Sequence, residues 1–133
     1  MQKLFILSFF GIILLAGCAS MEMRMSGRYH SITAAQAYKM ISGLENYIIL
    51  DVRTEGERQK MRIPGSISIP LKQVKEQAEN ELTDKNAMIF VHCRSGGRST
   101  VAAKELFELG YTNIYDFKKI TRWPGEILRL QIE

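Results

Sequence analysis

The chain has 133 residues, 46% hydrophobic and 24% charged, with 18 Lys+Arg against 14 Asp+Glu for a formal net charge of +4. That is about one domain of globular sequence, and it excludes a disordered tail, a collagen-like chain and a polytopic membrane protein. The mild basic excess is spread along the chain and is too weak to indicate nucleic acid. The two cysteines, Cys18 and Cys93, allow neither a multi-disulfide scaffold nor a four-cysteine zinc site.

The first residues read as an address. Lys3 precedes an apolar run over residues 4–16, interrupted only by Ser8 and Gly11. That length suits a signal-peptide core, whereas a spanning helix needs roughly 20 apolar residues. The run ends in Leu15-Ala16-Gly17-Cys18, which resembles a bacterial lipobox, where cleavage falls before the cysteine and its sulfur carries a diacylglycerol. The expectation is a signal peptide over residues 1–17, a tether over 18–29 lipidated at Cys18, and a globular domain over 30–133. The alternative is an uncleaved N-terminal anchor with Cys18 a bystander; either way the domain is tethered to a membrane outside the cytoplasm. Ala19 follows Cys18 where Asp would signal inner-membrane retention, so the periplasmic face of an outer membrane is favoured if the host has one. Met21, Met23 and Met25 alternate in the tether and read as linker rather than as a Cu(I) site. With Cys18 lipidated, Cys93 is the one remaining thiol, in an oxidising compartment and without a disulfide partner. Such a thiol is either buried and inert or reactive by purpose.

Beyond the tether, helices and strands alternate. Thr33 and Gln36 form a capping-box pattern that opens a helix through Ser42, closed by Gly43. Residues 47–52 are a nearly continuous apolar run, as in a strand buried on both faces. Residues 55–60 predict a short polar helix. Pro64-Gly65 turns the chain into a small strand over 66–69, and Pro70 precedes a charged amphipathic helix over 71–82. A second buried strand is expected over 87–92, a tight loop over 93–98, a helix over 99–109 stopped by Gly110, and a strand over 113–117. The last stretch, from Ile120 on, reads as helical, interrupted by Pro124-Gly125. This alternation predicts an α/β fold with a mainly parallel central sheet and helices on both faces. In such sheets functional loops lie beyond the carboxyl ends of the strands, and Cys93 stands at such a place.

The segment Ile89-Phe90-Val91-His92-Cys93-Arg94-Ser95-Gly96-Gly97-Arg98-Ser99-Thr100 reads as strand, loop, helix. Gly96 and Gly97 allow tight or left-handed turns, so that successive N–H groups point inward as an anion-binding nest. Ser99 reads as the N-cap of the following helix, whose start adds partial positive charge, and Arg94 and Arg98 add full charges. A thiolate at the lip of this loop would be favoured over the thiol, and the thiolate is the nucleophile. A merely buried cysteine explains neither the glycines nor the arginines. Two chemistries use such a cradle. Cysteine phosphatases space Cys and Arg by five residues; here four separate Cys93 from Arg98, a narrower cradle that suits one sulfur atom better than a phosphoryl group. No Asp is placed as an obvious general acid. The other chemistry is sulfur transfer through a cysteine persulfide.

The segment Cys93-Arg94-Ser95-Gly96-Gly97-Arg98-Ser99 resembles the six-residue active-site loop of single-domain rhodanese-like sulfurtransferases. Leu50-Asp51-Val52-Arg53-Thr54 with Glu57 resembles the family's first strand and turn, and Ile63-Pro64-Gly65-Ser66-Ile67-Ser68-Ile69-Pro70 its second motif. Gly110-Tyr111-Thr112-Asn113-Ile114-Tyr115 and Trp123 resemble its closing segment. The resemblance implies that Cys93 accepts the sulfur and that Arg94, Ser95, Gly96, Gly97, Arg98 and Ser99 cradle the substrate. It implies supporting roles for Arg53, expected to pair with Glu57, and for Asp51, expected to orient the loop. His92 should point away from the cysteine and pack, and Trp123 should be a pocket wall or core. Two departures stand out: Met61-Arg62 where the family has Gly-His, and Lys118-Lys119 where it has Gly-Gly. Both add positive charge, and the second is expected to stiffen the pocket rim.

The sequence therefore predicts an exported, lipid-anchored sulfurtransferase. Its donor would be a small anion such as thiosulfate or a low-molecular-weight persulfide, its acceptor cyanide or a thiol, with no metal or organic cofactor implied. The rivals are a sulfur-delivery or binding module without turnover, and a cysteine phosphatase or arsenate reductase on the same architecture.

Overall fold

A computed structural model describes residues 29–131 of the chain. The expected signal peptide, the lipid site at Cys18 and the methionines of the tether lie outside the described residues.

In chain order the elements are β1 (His30–Ser31), α1 (Ala34–Ser42), β2 (Ile48–Asp51), α2 (Glu55–Lys60), β3 (Met61–Arg62) and β4 (Ile67–Ser68). A 3₁₀ turn (Leu71–Gln73), α3 (Val74–Glu81), β5 (Met88–Cys93), α4 (Gly97–Glu108), β6 (Asn113–Lys119), a second 3₁₀ turn (Ile120–Arg122) and β7 (Leu128–Arg129) follow. Five strands form one sheet in the order β1-β6-β5-β2-β4, with parallel pairing throughout. β3 and β7 form a separate antiparallel ribbon.

Burial explains the architecture. β5 occupies the middle of the sheet, and residues 89–93 are all buried. Strand alternation divides them between two cores. Ile89, Val91 and Cys93 join Leu50, Val74, Ala102 and Leu106 on the face covered by α3 and α4. Phe90 joins Ile49, Ala37, Phe117 and Ile120 on the face covered by α1 and the turn after β6. Helices thus cover both faces, as the apolar runs predict. The capping box of α1 is present, with Thr33 Oγ1 accepting from Gln36 N–H at 3.1 Å and Gln36 Oε1 accepting from Thr33 N–H at 2.8 Å. A second box, Thr54 with Glu57, starts α2.

Three expectations need correction. The helix over 71–82 is instead a 3₁₀ turn followed by the shorter α3. The helix after the loop begins at Gly97, two residues before Ser99. Its cap is Gly96, because φ of +109° there places the chain in a conformation that glycine adopts freely, and this outweighs the capping capacity of a serine. The C-terminal stretch is helical only over Ile120–Arg122. Pro124 cannot donate to a helical ladder, and the chain beyond it becomes β7, whose backbone bonds are met by β3 rather than by its own turn.

Candidate active site

Cys93 is the last residue of β5, facing α3 and α4. Its side chain is fully buried, at the floor of the loop rather than at its lip. Gly96 folds the loop back over it and donates its N–H to Cys93 Sγ at 3.0 Å. α4 starts one residue later, so its first-turn N–H groups, which have no acceptor within the helix, open toward the loop. Ser99 is buried and donates from Oγ to Gly96 O at 3.1 Å, locking the turn from inside the helix. A Cβ at Gly96 would stand 3.0 Å from Lys118 Cβ, so this residue needs glycine for space as well as for conformation.

Asp116, which the sequence reading did not single out, anchors the loop from the neighbouring strand. It is buried, accepts from Thr100 Oγ1 at 2.9 Å and accepts the Lys118 N–H at 3.0 Å. The second bond holds a bulge in β6, where Val91 faces Asp116 but His92 faces Lys118. Lys118 has φ of +65°. A lysine thus takes a left-handed conformation at the first of the two positions where the resembled family has glycine. Lys118 and Lys119 line a depression of about 430 Å³ against the start of α1, and the Lys118 stem lies against Gly96 of the loop.

The loop arginines differ. Arg98 is held by Glu57 in a two-pronged pair, Nη1 to Oε2 at 2.6 Å and Nη2 to Oε1 at 2.9 Å. The Arg98 guanidinium brings the Glu57 carboxyl down to about 2 from its ordinary 4.5, with backbone and hydroxyl bonds from Thr54 adding to the effect. The same pair raises Arg98. Arg94 is exposed and, among the described residues, has no ion-pair partner. Ser95 and Gly97 are exposed beside it.

Arg53 does not pair with Glu57. It turns back on Asp51, with Nε donating to Oδ1 at 3.0 Å and Nη2 to Oδ2 at 2.7 Å, and also donates to Met61 O at 2.6 Å. The nearer carboxylate wins, and both groups are buried. Asp51 accepts the Arg53 N–H as well, at 3.0 Å, and so shapes the segment leaving β2. His92 lies on the opposite sheet face from Cys93, tilted against Phe117 at 5.1 Å, as alternation predicts. Burial pushes its pKa down to about 4, although the Asp51 carboxylate 3.9 Å away acts the other way. It is a neutral packing residue at pH 7.

A cavity of about 630 Å³ opens beside the loop. Arg94 borders it on the loop side, Met61 and Glu57 on the α2–β3 side, and Trp123, Ile127 and Arg129 on the C-terminal side. Trp123 packs on Phe117 at 5.2 Å and edge-on to Tyr38 at 5.4 Å, so it is both wall and core. Chemically, the arrangement offers a thiol with one backbone donor, a helix start behind it, and one uncommitted guanidinium at the mouth.

The Rhodanese-like domain family model matches residues 33–119. The chain is similar to the thiosulfate sulfurtransferase PspE of Escherichia coli, with 40% identity over 65 residues, 49% of this chain and 62% of that protein. The chain thus spans about six-tenths of that relative. A solved rhodanese with anions from E. coli superposes with a TM-score of 0.60 at 31% identity, covering 62% of this chain and 98% of that one. A rhodanese-related protein from Thermoplasma volcanium superposes with a TM-score of 0.64 at 29% identity, covering 75% of this chain and 98% of that one.

Proposed function

The chain belongs to the rhodanese-like domain family, and from that membership we propose that it transfers a sulfane sulfur through a persulfide on Cys93. The observation that carries this reading is the thiol at the end of β5, held by Gly96 N–H within a loop whose second arginine is already occupied. A phosphatase needs that arginine's two-pronged donor edge for the phosphoryl oxygens. Here Glu57 holds it, and the cradle is one residue shorter than the phosphatase spacing.

In the proposed reaction the Cys93 thiolate attacks the outer sulfur of thiosulfate. A new S–S bond forms, the donor's S–S bond breaks, and its electron pair leaves on sulfite. Arg94 offsets the repulsion between thiolate and dianion. A nucleophile such as cyanide then takes the outer sulfur and returns Cys93 as a thiolate. The Gly96 N–H and the start of α4 stabilise the anionic sulfur in both states.

The test compares thiosulfate:cyanide transfer with aryl phosphate hydrolysis. Cys93→Ser should abolish transfer, because an alcohol cannot carry the persulfide. Arg94→Ala should lower kcat/KM for thiosulfate by about one to two orders of magnitude, as expected for one charge-assisted hydrogen bond. Cys93-dependent phosphate hydrolysis without sulfur transfer would overturn the proposal. Persulfide formation without onward transfer would instead indicate a delivery module.

The lipobox-like Leu15-Ala16-Gly17-Cys18 supports a location on the outer side of a bacterial membrane, anchored through Cys18. Cys18→Ala should release the protein from membranes; retention after a carbonate wash would favour an uncleaved helix.

A further inference from the structure

Among the described residues, the one hydrogen bond to Cys93 Sγ comes from Gly96 N–H, so whatever aims that N–H governs how well the sulfur bears charge. Gly96 has no side chain to hold it, and its φ of +109° lies in a region that glycine enters freely. Its position is therefore set by its neighbours. Gly96 O accepts from Thr100 N–H at 3.2 Å, from Ser99 Oγ at 3.1 Å and from Thr100 Oγ1 at 2.9 Å. On the other side stands the Lys118 stem, whose Cβ would be 3.0 Å from a Cβ on Gly96.

Both sides lead to one carboxyl. Asp116 lies on β6 opposite Val91, two residues before Cys93 in the neighbouring strand, and is fully buried. Its Oδ2 accepts from Thr100 Oγ1 at 2.9 Å, the same hydroxyl that reaches Gly96 O. Its Oδ1 accepts the Lys118 N–H at 3.0 Å and so holds the left-handed turn that lays the lysine stem on Gly96. Burying a carboxyl is costly unless its oxygens are bonded, and here both bonds go to residues that flank Gly96. No hydrogen bond joins Asp116 to Cys93 among the described residues, so any effect on the sulfur passes through Gly96.

Resting on the sulfur-transfer reading above, we infer that Asp116 is a positioning residue for that reaction: by gripping Thr100 and Lys118 it fixes the Gly96 N–H on Cys93 Sγ. The task is separate from that of Arg94. Arg94, exposed at the mouth, draws the dianion in. Asp116 sets how fast the bound donor reacts, because the Gly96 N–H stabilises the sulfur anion on which attack depends.

The experiment follows sulfur addition to Cys93 from thiosulfate in single turnovers of the full chain, by mass spectrometry, together with amide exchange at Gly96 and Val91 in the absence of donor. Thr100→Val removes the hydroxyl at nearly constant shape. Its rate at saturating thiosulfate should fall about tenfold, while the half-saturating concentration stays within about twofold. Thr100→Ser, which keeps the hydroxyl, should return the rate to within about threefold of wild type. Asp116→Asn should lower the same rate about tenfold. Losing a negative charge would by itself speed attack on a dianion, so a fall reports lost positioning. The ratio of Gly96 to Val91 exchange should rise about tenfold in Thr100→Val and Asp116→Asn, whereas loss of global stability alone does not raise it. Unchanged limiting rates in both variants, or a Thr100→Ser as slow as Thr100→Val, would overturn the inference and leave the sulfur-transfer reading standing. If Asp116→Asn does not fold, the two Thr100 variants decide alone. No sulfur addition in the wild type would overturn that reading, and this inference with it.

Discussion

The loop over residues 93–99 and the strap over residues 123–130 face one another across the cavity and are built in opposite ways. The loop is anchored from within the core. Cys93 and Ser99 are buried, Gly96 bonds to the sulfur, and Asp116 ties the first turn of α4 to β6. The strap is held by a ribbon of two residue pairs, and its Leu128 and Leu130 are 39% and 60% exposed. Segments with few buried contacts open locally, whereas centrally packed ones open only with the whole fold. The difference suggests a division of labour: reacting atoms on the rigid element, selectivity on the adjustable one. Amide exchange should be slow at Val91 and Phe90 and fast at Leu130, with opening free energies that differ severalfold.

The largest test uses acid. The pKa of His92 drops from 6.5 in the unfolded chain to about 4 in the fold, chiefly through burial. Below pH 6.5 the unfolded state therefore binds a proton that the fold refuses. Stability should be unaffected above that pH and fall by about 3 kcal/mol as pH drops from 6.5 to 4. Glu57 acts in the adjoining window. Its pKa is lowered from 4.5 to about 2, so its contribution is present above pH 4.5 and is lost as pH falls toward 2. Urea midpoints against pH should show both slopes, and His92→Asn should flatten only the upper one. Amide exchange at Leu130 should change little across the upper window, because His92 belongs to the rigid part.

A matched pair of glycine substitutions tests the contrast more directly. Gly96→Ala meets both a φ of +109° and Lys118 Cβ at 3.0 Å, within a packed loop. It should cost about 2 kcal/mol or more in global stability. Gly125→Ala meets Tyr38 at 2.6 Å, a closer approach, but in a segment able to yield. It should cost under about 1 kcal/mol. Equal costs by thermal or urea unfolding would break the comparison.

The smallest effect is a gain. Lys118 holds φ of +65° against its preference. Lys118→Gly should raise stability by about 0.5–1 kcal/mol, offset in part by the greater freedom of the unfolded chain. A loss would mean that the lysine stem packed on Gly96 matters more than the backbone.

Much of the rigid half was legible in the sequence because its signals are local. Apolar runs placed β2 and β5, Thr33 and Gln36 placed the start of α1, and Cys93 with Gly96 and Gly97 marked the loop. The misreadings concern distance. Glu57 lies 41 residues from Arg98, so no local pattern announces their pair, and the nearer Arg53 was the natural partner to expect. β7 exists only because β3 offers it hydrogen bonds, so residues 128–129 carry no strand signal of their own. Ser99 has the chemistry of a cap, yet the left-handed turn at Gly96 decides where α4 begins. Asp116 was invisible because an acidic residue in a strand reads as exposed until a hydroxyl and an amide are found around it.

The most direct test is the mass of the protein after incubation with thiosulfate and removal of the excess. The account predicts a gain of one sulfur atom on the peptide containing Cys93, reversed by cyanide and absent in Cys93→Ser. An unmodified Cys93 in the folded protein, with both thiosulfate and an organic persulfide as donors, would contradict it.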